Sequence, residues 1–232
     1  MSWFDLDPTS VVSRLRAANV PANAPTLGSS LLQGMFGFAL VSVAGFAPWA
    51  LFGRAIHRRA GELGLYALCA LIFIGASGLI LHTLIIGPGS LSRFYRLFGV
   101  AFSAYSIGWI AGWMALRGHS GSLAGLLLGA ILMGWILAGA FEARSSTIQI
   151  VLAIFILNAA GYFLGGWIES SLTSMHELSI LGHTVAKPAQ LLAAKLQWGV
   201  CYGMGLGAGL GFAFYVCQMP VRALLSSPES PG

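Results

Sequence analysis

Charge is what this chain has least of. Twelve Lys and Arg and seven Asp and Glu are spread over 232 residues, 8% of the total, against 57% hydrophobic residues. A soluble domain of this size covers its surface with many more polar side chains, so the composition excludes an aqueous globule. Cysteine is scarce too: Cys69, Cys201 and Cys217 all fall in apolar stretches without paired spacing, which argues against a disulfide scaffold or a metal knuckle. No ionisable residue stands clearly at the centre of an apolar stretch, and that absence argues against an ion-driven pump or proton relay. The formal net charge of +5 comes from basic residues scattered over separate segments, which fits lipid headgroups and not nucleic acid.

What fills the chain instead is six apolar stretches, each near the roughly 20 residues that a helix needs to cross about 30 Å of hydrocarbon with its backbone amides internally bonded. They run from Leu31 to Phe52, Leu65 to Ile86, Leu97 to Leu116, Leu123 to Phe141, Ile148 to Ile168 and Leu191 to Cys217. The expected fold is all-α: a polytopic membrane protein of six transmembrane helices over residues 31–218, preceded by an interfacial segment, 1–30, and followed by a disordered tail, 219–232. The composition suits a multi-pass protein of a bacterial inner membrane. In the first segment Asp5 and Asp7 and the lack of an apolar run speak against a signal peptide, so it is expected to remain on the mature protein. Asp7 before Pro8 reads as a helix start, with Val11, Val12, Leu15 and Ala18 on one face.

Short links after Ile86, Leu116 and Phe141 predict consecutive antiparallel hairpins for spans two to five. The longest link, Glu169 to Pro188, carries Leu172, Met175, Leu178 and Leu181 at helical spacing and predicts a short amphipathic helix on the membrane surface. Basic residues divide evenly between the two sides, six against six; the cluster Arg54, Arg58 and Arg59 favours a cytoplasmic first loop and an outside N-terminus.

Two patterns point to packing. In span six Gly199, Gly203, Gly207 and Gly211 recur every fourth residue in the manner of a glycine zipper, with Gly205 and Gly209 on the other side. Such spacing suits close helix approach, or else clears a lumen or a cofactor groove. In span three Tyr95, Phe98, Phe102, Tyr105, Trp109 and Trp113 form an aromatic stripe that is expected to fit the span-six groove, or alternatively to line a site for a quinone, pigment or lipid tail.

The polar intramembrane candidates are few. His82 lies four residues before Ile86, and Asn158 near the middle of span five is expected to bond Ser77, Ser103 or Ser106. His176 and His183 in the long link are weak metal candidates, because seven residues separate them and H-E-x-x-H needs four. Gly75 to Gly78, Gly-Ala-Ser-Gly, resembles the tetrapeptide that rhomboid intramembrane proteases place around a nucleophilic serine. The resemblance covers those four residues and departs from the family's order, whose motif lies in the fourth span with its histidine in the sixth. Span six here has no histidine to serve as base, so an enzyme is not expected.

The expected function is therefore a non-catalytic, packed subunit of a membrane assembly, in contact with lipids and with further copies or other membrane subunits, and able to contact an apolar cofactor, pigment, quinone or lipid. No particular cofactor is indicated. The alternative is a channel or facilitator for a small neutral solute, with Ser77, Ser103, Ser106 and Asn158 lining its lumen; an intramembrane enzyme is the remote third.

Overall fold

Long apolar helices account for nearly all of the computed structural model, which describes residues 3–19, 24–176, 179–180 and 183–226. In chain order they are α1 (Pro8–Ala18), α2 (Leu27–Leu81), α3 (Ser90–Leu116), α4 (Gly118–Ala140), α5 (Thr147–Ser174), α6 (Lys187–Cys217) and α7 (Met219–Ser226). Five of them, α2 to α6, are long and apolar enough to cross a membrane. Their outer faces carry exposed Leu40, Leu71, Leu79, Ile107, Ile148 and Trp167, an arrangement that only a lipid solvent or a protein neighbour tolerates.

A straight helix of 55 residues would be about 80 Å long at 1.5 Å per residue, far more than one bilayer. α2 avoids this by breaking at Gly61, whose φ of 70° and ψ of −176° suit a residue without Cβ. The chain folds back there: Gln33 Nε2 donates to the Ile80 carbonyl oxygen at 3.3 Å and also to Thr83 Oγ1, and Phe38 stacks on Phe73 with centroids 5.6 Å apart. Residues 27–60 and 62–81 are therefore two antiparallel arms. Arg54, Arg58 and Arg59 lie on the last turns of the first arm, where they are exposed, and not in a loop.

α6, the most buried of the long helices, packs against both α2 and α5. Its glycine edges set the spacing. A Cβ on Gly203 would lie 2.7 Å from the Phe38 carbonyl oxygen, one on Gly207 would run into the Gly34 carbonyl, and one on Gly211 would meet that of Ser30. On the opposite edge, Gly205 faces Gly161 and Gly209 faces Ile154 of α5. The pairing expected between the α3 stripe and this groove does not occur, because the first arm of α2 already occupies it. A second close seam joins α3 and α4, where a Cβ on Gly112 would be 2.5 Å from the Gly125 amide nitrogen.

One end of the bundle is clasped. The link from His82 to Gly89 includes Pro88, which has no N–H to give, and its carbonyls need donors where water is scarce. Arg93 supplies them: Nη2 donates to the carbonyls of Ile86, Gly87 and Pro88 at 3.0, 3.0 and 2.9 Å, and the residue is 1% exposed. Gln218 ties the same link to α6, donating through Nε2 to Leu84 and Phe214 carbonyls while Oε1 accepts from the Ile86 amide at 2.7 Å.

α1 and α7 cover this end, with Val11, Val12, Leu15, Ile86 and Val221 forming one apolar cluster. Asp5 pairs with Arg14 at 2.8 Å and Arg96 at 3.5 Å, and Leu6 is wholly buried. Burial alone would raise the Asp7 carboxyl, but bonds from the Ser10 amide and the Thr9 hydroxyl outweigh it and hold the group below its ordinary value. The expected disordered tail over 219–232 is corrected by α7; residues 227–232 lie outside the described residues.

The long link differs from its expectation as well. α5 runs on to Ser174, taking in Leu172, and a short antiparallel hairpin follows in which Ser179–Ile180 pairs with His183–Thr184. α6 then starts at Lys187, whose Nζ donates to the Thr173 and Met175 carbonyls, while Gln190 donates to those of Leu172 and Met175. The end of α5 is thus capped by the start of α6, which leaves too little chain for a surface helix. Leu178 and Leu181 lie outside the described residues.

Candidate functional site

At the end opposite the clasp, aromatic side chains enclose a cavity of about 290 Å³ that is open on one side. Phe46 and Trp49 come from the first arm of α2, and Leu65, Tyr66, Cys69, Ala70 and Phe73 from the second. α3 contributes Phe102, Tyr105, Ser106, Trp109, Ile110 and Trp113, α5 Tyr162 and Glu169, and α6 Trp198 and Tyr202. The volume falls at the lower edge of what small-molecule sites show, room for one ring system or one lipid chain.

The rings pack edge-on and stacked at ordinary aromatic spacings: Phe46 to Trp198 at 4.9 Å, Phe46 to Phe73 at 5.0 Å, Trp198 to Tyr202 at 5.6 Å and Trp109 to Trp113 at 6.1 Å. Beneath them Phe94, Phe98, Phe102 and Tyr105 continue down α3 as a stacked column that reaches Phe214 of α6. Phe94 belongs to this inward column. Tyr95 leaves the stripe: its hydroxyl donates to the Gly75 carbonyl at 2.7 Å and its ring sits against Gly78 of α2.

The deepest polar group is a triad. Asn158 Nδ2 donates to Tyr105 Oη at 2.7 Å, and Tyr202 Oη donates to the same oxygen at 3.2 Å. Asn158 is wholly buried, so this bond joins α5 to α3 inside the bundle; its partner is the tyrosine and none of the three serines expected. Nearby, Ser122 and Tyr162 hydroxyls lie 3.0 Å apart. Glu169 is the single charged side chain in the cavity wall. Two cations stand at its rim, Lys195 Nζ 4.8 Å above the Trp49 ring and the Arg117 guanidinium 4.2 Å above Trp113.

The polar candidates do not come together. Ser106 lines the cavity, Ser103 faces outward and is exposed, and Ser77 is buried with its hydroxyl unbonded. His82 sits just past the end of α2, its Nδ1 3.0 Å from the Gly78 carbonyl, at the clasped end and far from the rings in the chain's course. Ser77 and His82 do not bond each other, and the glycines of Gly75 to Gly78 seat Tyr95. His176 is exposed, and among the described residues no cluster of His, Cys, Asp or Glu could hold a metal ion.

No protein-family model, curated protein or solved structure matches this chain. Its own geometry has to carry the functional reading. The α3 half of the cavity was visible as a ring every three or four residues. Phe46, Phe73, Tyr162, Trp198 and Tyr202 were not, since they come singly from other helices and only the fold gathers them. Gly121, Gly125 and Gly129 of α4 carried the same every-fourth signal as span six.

Proposed function

We propose that this chain is a non-catalytic membrane protein that crosses the bilayer six times and holds one apolar small molecule, or the chain of one lipid, in its aromatic cavity, as a subunit of a larger membrane assembly. The cavity carries the reading. Its wall is built of rings from five helical segments, with a single charged side chain, Glu169, among them. Ser103 is exposed, Ser77 is buried and Asn158 bonds Tyr105, which favours this reading over a solute channel lined by these residues.

Six crossings are favoured over five by the packing of α1 on α7. An even number of crossings returns the chain to its starting side; an odd number would place the two helices on opposite faces. The exposed Arg54, Arg58 and Arg59 favour a cytoplasmic position for the cavity end. Lipid or a neighbouring subunit covers Leu127, Ile131 and Trp135 on the outer face of α4.

Native mass spectrometry of protein extracted in mild detergent tests the site. A retained apolar adduct, lost in Ala70→Trp because the new ring fills the cavity, supports the reading. A bare polypeptide mass, or an adduct indifferent to that substitution, overturns it.

A further inference from the structure

Two polar atoms at the cavity, the Trp109 indole N–H and Asn158 Oδ1, are buried without a partner. Tyr105 Oη accepts from both Asn158 and Tyr202, so its own proton has no acceptor. Turning the Asn158 amide over would give that proton a place and orphan the two Nδ2 hydrogens instead, so the surplus stays. One helical turn further along α3, the Trp109 indole N–H is buried without a partner. Between them Ser106 lines the same cavity, and its hydroxyl makes none of the bonds that tie Ser122 or Tyr162. Buried donors left unmet cost free energy, and a native site resolves that cost by water or by a ligand.

Charge at the rim adds a second constraint. Glu169 opposes Lys195 and Arg117, so neither a strongly anionic nor a strongly cationic guest has a clear advantage, and the rings favour a flat or chain-like apolar body.

From these features we infer that the ligand is uncharged and carries a carbonyl oxygen, of a ring ketone or of a lipid ester, which accepts from the donors of Tyr105, Ser106 and Trp109 while the rings hold its apolar part. This rests on the proposed cavity function and specifies its ligand class.

Titration calorimetry on the delipidated full chain in detergent separates the two. Three probes are compared: a decyl 1,4-naphthoquinone, dioleoylglycerol, and a decyl naphthalene that lacks oxygen. At least one carbonyl probe is expected to bind about tenfold or more tighter than the hydrocarbon, given several donors each supplying a modest net gain. Trp109→Phe and Ser106→Ala should each shrink that advantage a few-fold and leave hydrocarbon binding within about twofold. Preference for the quinone assigns the ring ketone and preference for the diacylglycerol assigns the ester; either supports the inference. Equal binding of all three overturns the carbonyl inference but keeps the cavity reading, whereas no binding by any of them overturns the cavity reading itself.

Discussion

Between the first arm of α2 and α6, one interface is made in two opposite ways. Toward the clasped end, Gly34, Gly207 and Gly211 let the backbones touch, so that no Cβ fits. Toward the cavity end the backbones part: a Cβ on Gly199 would lie 3.6 Å from the Ser42 carbonyl oxygen and 3.2 Å from the Phe46 ring, and beyond it Phe46, Trp49 and Trp198 meet as rings. Small residues remove the space between helices and large flat ones prop it open. The same two ends differ in bonding. Arg93, Gln218 and the Asp5 pairs fasten the clasped end across several segments, whereas the cavity end is held mainly by ring contacts and the Asn158, Tyr105 and Tyr202 bonds. A membrane protein without hydrophobic drive between its helices gains rigidity from close packing and internal hydrogen bonds, so the end that has both is the fixed one.

The largest effect is expected where both devices meet. Gly207→Val forces α6 away from Gly34 along a contact with no room to yield, and should reduce the yield of monodisperse protein on size exclusion severely, by at least about 3 kcal/mol of stability. Wild-type elution and melting for this variant would mean that the backbones are not in contact.

Next comes Arg93→Met, which strips donors from three loop carbonyls and should cost about 3 kcal/mol, lowering the melting midpoint while leaving ligand affinity at the far end unchanged. Gln218→Ala, with three bonds lost but no charge, should cost about 2 kcal/mol, read in the same melting experiment. An equal loss of ligand affinity in either variant would contradict the independence of the two ends.

The smallest effect belongs to Asp7. As the N-cap of α1, its replacement by Ala should cost about 1 kcal/mol. Its carboxyl titrates lower when folded than its ordinary value, so its contribution is full above the ordinary value and disappears as pH falls through the lower folded one. Hydrogen exchange of the α1 amides should therefore quicken below about pH 4 in wild type, and show no such step in Asp7→Ala. A step of the same size in both would assign it to another group.

How much of this could be read from the chain itself divides along the same line. The apolar lengths announced long helices, and the every-fourth glycines of α6 stood out because that spacing lies along one helix. Their partner did not, since nothing local in Ser30, Gly34 or Phe38 says that this arm, and not α3, fills the groove. Asn158 was recognisable as a buried polar group, yet its bond to Tyr105 joins residues 53 apart. The burial of Arg93 was hidden for a different reason: a cation near a span end ordinarily meets headgroups, and only a proline link short of donors draws it inward. The leucines of the link after α5 keep helical spacing, but Lys187 and Gln190 cap α5 from the next helix, a long-range bond that local spacing does not carry.

The turn at Gly61 is one residue long, and nothing stands within 4 Å of the place its Cβ would take. A corner that short gives the two arms no slack to slide past each other. The second arm brings Leu65, Tyr66, Cys69 and Phe73 to the same cavity wall as Phe46 and Trp49 of the first, so one corner places both sets. The angle at that corner thereby sets how far apart these two leaves of the wall stand.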